Sequence, residues 1–279
     1  MTAPMRIRNA WVAVGLMLVA AACASRTPST SKATATAKDT PAAAGALPKE
    51  LVVGTSGGFP PFVIRRAGTI SGLELDFAEA VGKTLGIPVR LTDVPWDQLF
   101  GLLADRKVDV VMAGVTVTKE REAQFAFADP YLRTNIVALV RTQDKARLGS
   151  RDAACKSGVQ VGVIAETTGE RYVRDECPTA KVRPFATGDD AVLELVNGRL
   201  DAVVGDGPVL AYLMDQQATA LEIVPTGNMN EALAWMVRRD DTALLQALNG
   251  ALATMKQDGT LDRLLKKWIP QVDRIRAAG

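Results

Sequence analysis

From residue 47 to the C-terminus, short apolar runs alternate with segments whose apolar residues recur at helical spacing. That alternation restricts the chain to an α/β architecture. Leu51-Val52-Val53 reads as a buried strand ending at Gly54, and Leu73, Phe77, Ala80, Val81 and Leu85 mark a helix closed by Gly86 and Pro88. Val89-Arg90-Leu91 is the next strand. Trp96, Leu99, Leu102 and Leu103 mark a second helix, and residues 108–112 a strand running into Ala113-Gly114. After an apolar strand at 135–141 and a polar stretch, a second α/β set begins at residue 159. In it, Asp189 is placed to cap a helix that stops at Asn197-Gly198. Residues 202–204 are a strand, Pro208 opens a helix, and 221–224 form a further strand. Residues 232–238 read as extended. Leu244, Leu248, Leu252 and Met255, then Leu261, Leu264, Leu265 and Trp268, define two closing helices. Two α/β sets predict two lobes.

The N-terminus is an address. Arg6 and Arg8 precede a twelve-residue apolar run from Trp11 to Ala22. As a helix it would span about 18 Å, too short for a bilayer core, and its flanks match a secretory signal peptide, residues 1–22. The run ends Val19-Ala20-Ala21-Ala22-Cys23, which looks like a lipobox with Cys23 as the lipidated first residue, although Ala20 stands where such motifs usually carry Leu. Plain cleavage after Ala22 or Ala24 is the alternative. In residues 24–46, 19 of 23 side chains are Ala, Ser, Thr, Pro or Gly. Such a segment cannot bury enough surface to offset its ordering entropy, so residues 23–46 read as a flexible tether, lipid-anchored where Cys23 is modified.

Charge and cysteine usage exclude several functions. The 279 residues contain no histidine, which removes Ser-His-Asp and Cys-His catalysis, His metal ligands and a histidine pH switch. Three cysteines cannot build a four-Cys zinc site, and no metal or cofactor is implied. Without the first 22 residues, basic and acidic residues number 31 each, so the basic excess of a nucleic-acid binder is missing. With Cys23 lipidated, Cys155 and Cys177 remain as an even pair in an oxidising compartment. Their bridge would close a loop of about 22 residues, worth on the order of 3 kcal/mol; two free thiols are the alternative.

Several stretches, in this order, resemble the bacterial extracellular solute-binding proteins of family 3, the polar amino-acid receptors of ABC importers. They are Gly54-Thr55-Ser56-Gly57-Gly58-Phe59-Pro60-Pro61-Phe62, Ser71-Gly72-Leu73-Glu74-Leu75-Asp76, and Ala113-Gly114-Val115-Thr116-Val117-Thr118-Lys119-Glu120-Arg121. Phe127-Ala128-Asp129-Pro130-Tyr131, Thr167-Thr168-Gly169, Gly198-Arg199-Leu200-Asp201-Ala202 with Asp206, and Gly259-Thr260-Leu261 follow. The resemblance covers about residues 51–269. It implies a type II periplasmic-binding-protein-like fold, two α/β lobes joined by two crossing strands with the ligand cleft between them. Lobe 1 would take residues 47–137 and 232–279, lobe 2 residues 138–231, with crossings near 136–141 and 232–238.

A free amino acid carries a carboxylate and an ammonium on one carbon, and burying both requires charged, hydrogen-bonded partners. By resemblance Arg121 is the carboxylate-binding guanidinium, a role suited to its bidentate fork. Composition alone would leave it a solvated member of the run 119–122. Thr116 would donate its hydroxyl or N–H to the ligand, the Ala113 and Gly114 backbone would floor the site, and Thr118 is read as a helix cap. Thr168, before a helical pattern, would present free N–H groups, with a cap as its other reading. Asp206 matches the ammonium-binding aspartate, although it also suits the cap of the helix at Pro208. Phe59 and Trp96 match the rings that sandwich the ligand, although each alone would read as core. Ile164 completes the lining. Glu166 stands where the family usually has Gly. Ser56 stands where relatives that bind basic or amide side chains often carry Asp, which favours a neutral side chain.

The implied partners are a free amino acid, the membrane subunits of an ABC permease, and the membrane itself through the N-terminal lipid. The implied location is the periplasm or cell surface, and nucleic acid is excluded. Two other functions use this fold. One is a secreted cyclohexadienyl or arogenate dehydratase, but its glutamate three residues after the Asp206 position is Val209 here. The other is a ligand-sensing module acting through a separate receptor.

Overall fold

The computed structural model describes residues 46–217, 220–227 and 231–273. The proposed signal peptide, Cys23 and nearly all of the tether lie outside the described residues. Among the described residues, no helix is long and apolar enough to cross a membrane.

The first lobe opens with β1 (Leu51–Thr55), the hairpin β2 (Ile64–Arg66) and β3 (Thr69–Ser71), α1 (Leu73–Leu85) and β4 (Val89–Asp93). It continues with α2 (Trp96–Ala104), β5 (Val110–Val111), the one-turn α3 (Lys119–Glu122), β6 (Phe125–Phe127) and β7 (Leu132–Thr134). The second lobe holds β8 (Ile136–Arg141), two short helices α4 (Lys145–Leu148) and α5 (Arg151–Ala154), and β9 (Gln160–Ile164). It then runs through α6 (Thr168–Glu176), β10 (Lys181–Phe185), α7 (Gly188–Val196), β11 (Ala202–Asp206), α8 (Gly207–Asp215) and β12 (Leu221–Pro225). The chain returns through β13 (Glu231–Leu233) and β14 (Met236–Arg238) and ends in α9 (Thr242–Gln257) and α10 (Thr260–Trp268).

Each lobe is built on a five-stranded sheet, ordered β4-β1-β5-β14-β6 in the first and β10-β9-β11-β8-β12 in the second. In both, the first three strands are parallel and the returning strand runs against them. Parallel strands buried on both faces need near-continuous apolar sequence, which Leu51, Val53, Val161 and Val163 supply. Pro184 sits in β10 because that strand is an edge, where no ladder donor is needed. Helices α9 and α10 pack against α1 and against each other. Cys155 and Cys177 are disulfide-bonded, joining the end of α5 to the end of α6.

Two expectations are corrected. Between the two sheets, β7 pairs antiparallel with β13, as Glu231 with Thr134 and Leu233 with Leu132, so the pairing falls before residues 136–141 and overlaps only the start of the expected crossing at 232–238. Residues 136–141 are an interior strand of the second sheet, and 236–238 an interior strand of the first. The second run is apolar without a break from 232 to 237, so it hides the change of lobe, whereas in the first Arg133, Thr134 and Asn135 separate Leu132 from the apolar run that starts at Ile136. The cap of α7 is also Thr187, whose Oγ1 accepts the Asp190 N–H at 3.2 Å; Asp189 lies in the first turn.

Candidate functional site

The two sheets point their strand ends at one cleft, as ligand sites in open α/β sheets do. On the first lobe's wall, Phe59 stacks on Trp96 with ring centroids 6.4 Å apart, and both rings are half-buried. Gly114 carries φ +69°, and a Cβ there would stand 3.0–3.1 Å from the Phe59 and Phe62 rings, so this floor admits only glycine. Its N–H is already donated to Glu74 Oε1 at 2.7 Å, so Gly114 brings backbone closeness rather than a free donor. Ala113 is fully buried behind it. Ser56 is buried where β1 ends, and the next amide, Gly57, donates to Asp93 at 2.9 Å.

Arg121 enters from α3. Thr118 caps that turn, accepting the Arg121 N–H at 3.3 Å, as expected of it. The side chain folds back: Nη1 donates to the Thr116 carbonyl at 2.9 Å, and the guanidinium lies over the rings of Trp96 (5.6 Å) and Phe100 (5.3 Å). Burial lowers its pKa, while Asp206 and Glu231 pull the other way. A guanidinium keeps its charge throughout.

Asp206 enters from the opposite lobe at the end of β11. It occupies the N-cap position of α8, yet its side chain makes no capping hydrogen bond. The carboxyl group is 2 % exposed, and Oδ1 is buried with no hydrogen-bond partner among the described residues. Burial first, and the Glu231 carboxylate second, push its pKa well above the usual carboxylate range. Thr116 links the two sides, because its Oγ1 donates to Glu231 Oε2 at 3.3 Å.

Thr168 is the first residue of α6, half-buried at the cleft; the cap is Thr167, whose Oγ1 accepts the Glu170 N–H at 3.4 Å. Glu166 has φ +61°, the left-handed conformation in which glycine is easiest, and its carbonyl accepts from Trp96 Nε1 at 3.4 Å across the cleft. Ile164 is buried, with Cδ1 turned to Gly188. Trp96, Arg121, Thr116 and Asp206 therefore converge with Phe59, whereas Ala113 and Ile164 serve as packing behind the wall.

A cavity of about 420 Å³ lies between the lobes, lined by Glu120 and Arg121 on one side and Glu166, Thr168 and Arg171 on the other. A larger groove of about 810 Å³, between α1 and β4, belongs to one lobe and contains none of these residues. Convergent charge, not volume, marks the site. Among the described residues, no group of His, Cys, Asp and Glu is arranged to hold a metal.

Two buried acids escaped the sequence reading. Glu74 is 1 % exposed and accepts from the Gly114 N–H, Tyr131 Oη (2.6 Å) and Trp235 Nε1 (3.1 Å); burial raises its pKa to about 7. Its signal was its place with Phe77, Ala78 and Val81 on the inward stripe of α1. Glu231, 4 % exposed, precedes the extended run by one residue, which hid it.

The fold and cleft define a class, the two-lobed α/β binding proteins that hold a small solute between lobes. The chain belongs to the bacterial extracellular solute-binding proteins, family 3, whose pattern it matches over residues 51–271. It is 30 % identical to the L-cystine-binding protein TcyJ of Escherichia coli K12, over 78 % of this chain and 82 % of that one. It is 32 % identical to ABC transporter arginine-binding protein 1 of the same strain, over 78 % and 90 %. Among solved structures, an ancestral arginine-binding protein bound to arginine superposes with a TM-score of 0.74 at 34 % identity, covering 80 % of this chain and 99 % of that one. AncCDT-1, an ancestral amino-acid-binding protein described as a precursor of cyclohexadienyl dehydratase, does so at 0.75 and 35 %, covering 79 % and 96 %.

Proposed function

We propose that this chain is the receptor of an ABC importer, closing its lobes around a free amino acid and delivering it to the permease. The observation that carries the reading is the opposition of Arg121 and Asp206. They are one cation and one acid, from different lobes, both facing one cleft, with Asp206 Oδ1 lacking a hydrogen-bond partner among the described residues. A zwitterion satisfies both, Arg121 holding the carboxylate and Asp206 the ammonium, with Thr116, Ser56 and Thr168 as polar neighbours. Phe59 and Trp96 bury the carbon skeleton. Because the ligand touches both lobes, it favours the closed form by contacts that the open form lacks. The relatives named for cystine and arginine support an amino-acid ligand.

A neutral side chain is the reading Ser56 supports. A basic side chain is the second reading, favoured by Glu166 at the cavity rim and by the arginine-binding relatives. For the N-terminus the proposal is a signal peptide at 1–22 and a lipid on Cys23, with residues 23–46 tethering the receptor at the membrane.

Thermal unfolding of residues 47–279 against the twenty amino acids and L-cystine tests the function. Ligand at a hundred times its dissociation constant adds about 2.7 kcal/mol, which raises Tm by roughly 5–10 °C. No shift with any of the panel sinks the amino-acid reading.

A further inference from the structure

We propose that Phe100 is a positioning residue of the ligand site, which forms with Trp96 an aromatic corner that holds the Arg121 guanidinium in place for the carboxylate of a bound amino acid. The proposal deepens the amino-acid reading and rests on it.

Helix spacing sets the corner. Trp96 and Phe100 stand four residues apart in α2, so their side chains are neighbours on one face of the helix. Their ring centroids are 5.2 Å apart and the ring planes meet at 69°. Leu99 and Leu103 of the same helix are fully buried and fix it on the lobe, while the two rings stand half-buried beside them. On the far side of Phe100 lies the buried ring of Phe125 in β6, with centroids 6.1 Å apart. Phe100 is thus wedged between a core ring and the ring of the cleft wall.

The Arg121 Cζ lies 5.3 Å from the Phe100 centroid and 5.6 Å from that of Trp96. Both ring faces attract a cation. Two steeply crossed rings at similar distances restrict the guanidinium in two directions, which a single face cannot do. A carboxylate would also hold an arginine, but it would occupy the fork and cancel its charge. Here the adjacent Glu120 pairs with Arg171 instead. A guanidinium carries five N–H donors, and the Thr116 carbonyl takes one of them at Nη1. The rings hold the group without competing for the others, so the charge and the fork stay with the ligand. A side chain that is already held loses less rotamer entropy when the ligand arrives. Trp96 also stacks on Phe59, so it serves the ligand wall as well. Arg121 lines the cavity of about 420 Å³ and Phe100 does not, so Phe100 acts through Arg121.

Phe100→Leu keeps an apolar side chain and removes the ring face, whereas Phe100→Tyr keeps the face. Both are titrated calorimetrically with the panel member giving the largest thermal shift, with Tm in its absence as the check of folding. Phe100→Leu is expected to bind at least about ten-fold more weakly than the parent and Phe100→Tyr within about three-fold, with little change in the Tm of either. Proton–nitrogen NMR of the arginine Nε–H groups in the ligand-free protein supplies a readout that general damage to the pocket would not move. The Arg121 signal, identified by its loss in Arg121→Lys, should be displaced by the ring currents. It should return toward the position of a free arginine in Phe100→Leu and stay displaced in Phe100→Tyr. Full affinity in Phe100→Leu, or equal losses in the leucine and tyrosine variants, would overturn the proposal. A parent signal already at the free-arginine position would overturn it without any Phe100 variant. If the parent binds none of the panel, the amino-acid reading fails, and the NMR signal alone then decides whether Phe100 holds Arg121.

Discussion

The Glu74 carboxylate accepts the Gly114 backbone N–H at 2.7 Å, tying the first helix of lobe 1 to the floor of the cleft. The carboxyl group is held by three donors but sits fully buried, and burial wins, raising its pKa to about 7. A raised acid makes the folded state bind more protons than the unfolded chain between pH 4.5 and 7. Its contribution is therefore present below pH 4.5 and lost as pH rises through 7. The loss amounts to about 3 kcal/mol at one unit per 1.36 kcal/mol. Denaturant unfolding at pH 4.5 and 7.5 should show this slope in the parent relative to Glu74→Gln. Equal slopes in both would mean that Glu74 is not the group responsible.

At the other end of that hydrogen bond, Gly114→Ala adds a Cβ 3.0–3.1 Å from two aromatic rings and forces a left-handed alanine. The expected cost is about 1–3 kcal/mol of stability. Because the displaced ring is Phe59, amino-acid affinity should also fall by about ten-fold. Chemical denaturation and calorimetry on the same preparation separate the two effects.

Arg121→Lys preserves charge but removes the planar fork and its stacking over Trp96 and Phe100. Lysine presents a point charge where the carboxylate wants two parallel donors. Binding of the best panel amino acid is expected to weaken at least a hundred-fold while Tm in its absence changes by only a few degrees. Retained affinity would remove Arg121 from the carboxylate role.

These sites were unequally legible in the sequence. Thr118 was readable as a cap from its local sequence, whereas Arg121 was readable only through the family resemblance, because composition left it a solvated member of the charged run 119–122. Asp206 was readable as either ligand or cap; only the fold shows that it occupies the cap position and turns its carboxyl group away from the helix amides. Glu231 and Glu74 were not read because their partners lie 115 and 40 residues away, at Thr116 and Gly114. Nothing in local spacing reports a hydrogen bond of that range. The strand boundaries were missed for a related reason. In 232–237 the apolar run passes from β13 into β14 with no mark where one lobe ends, whereas the short polar β7, Leu132-Arg133-Thr134, lacks the apolar pattern by which a strand is read.

Lobe closure has its own contact outside the ligand. Arg171 of α6 pairs with Glu120 of α3 across the cleft mouth at 2.6 Å, lowering the Glu120 carboxyl to about 2. Both side chains are more than half exposed, so the pair is weak and screened by salt. Glu120→Gln is expected to weaken amino-acid binding about two- to five-fold at low ionic strength and hardly at all in 1 M salt. The charge-reversed pair, Glu120→Arg with Arg171→Glu, should restore the parent's affinity. A loss that persists unchanged in high salt would assign Glu120 a role other than this ion pair.

The disulfide joins the ends of α5 and α6, 22 residues apart, on the lobe that supplies Thr168. Closing a loop of that length restricts the unfolded chain by about 3 kcal/mol. Cys155→Ser with Cys177→Ser, or addition of dithiothreitol, should lower Tm by roughly 6–12 °C for a protein of this size. The cost falls on the unfolded state, and Arg121 and Asp206 keep their positions. The amino-acid-induced increment in Tm should therefore survive in the double serine variant. Loss of that increment together with the stability would mean that the bridge also holds α6 at the cleft.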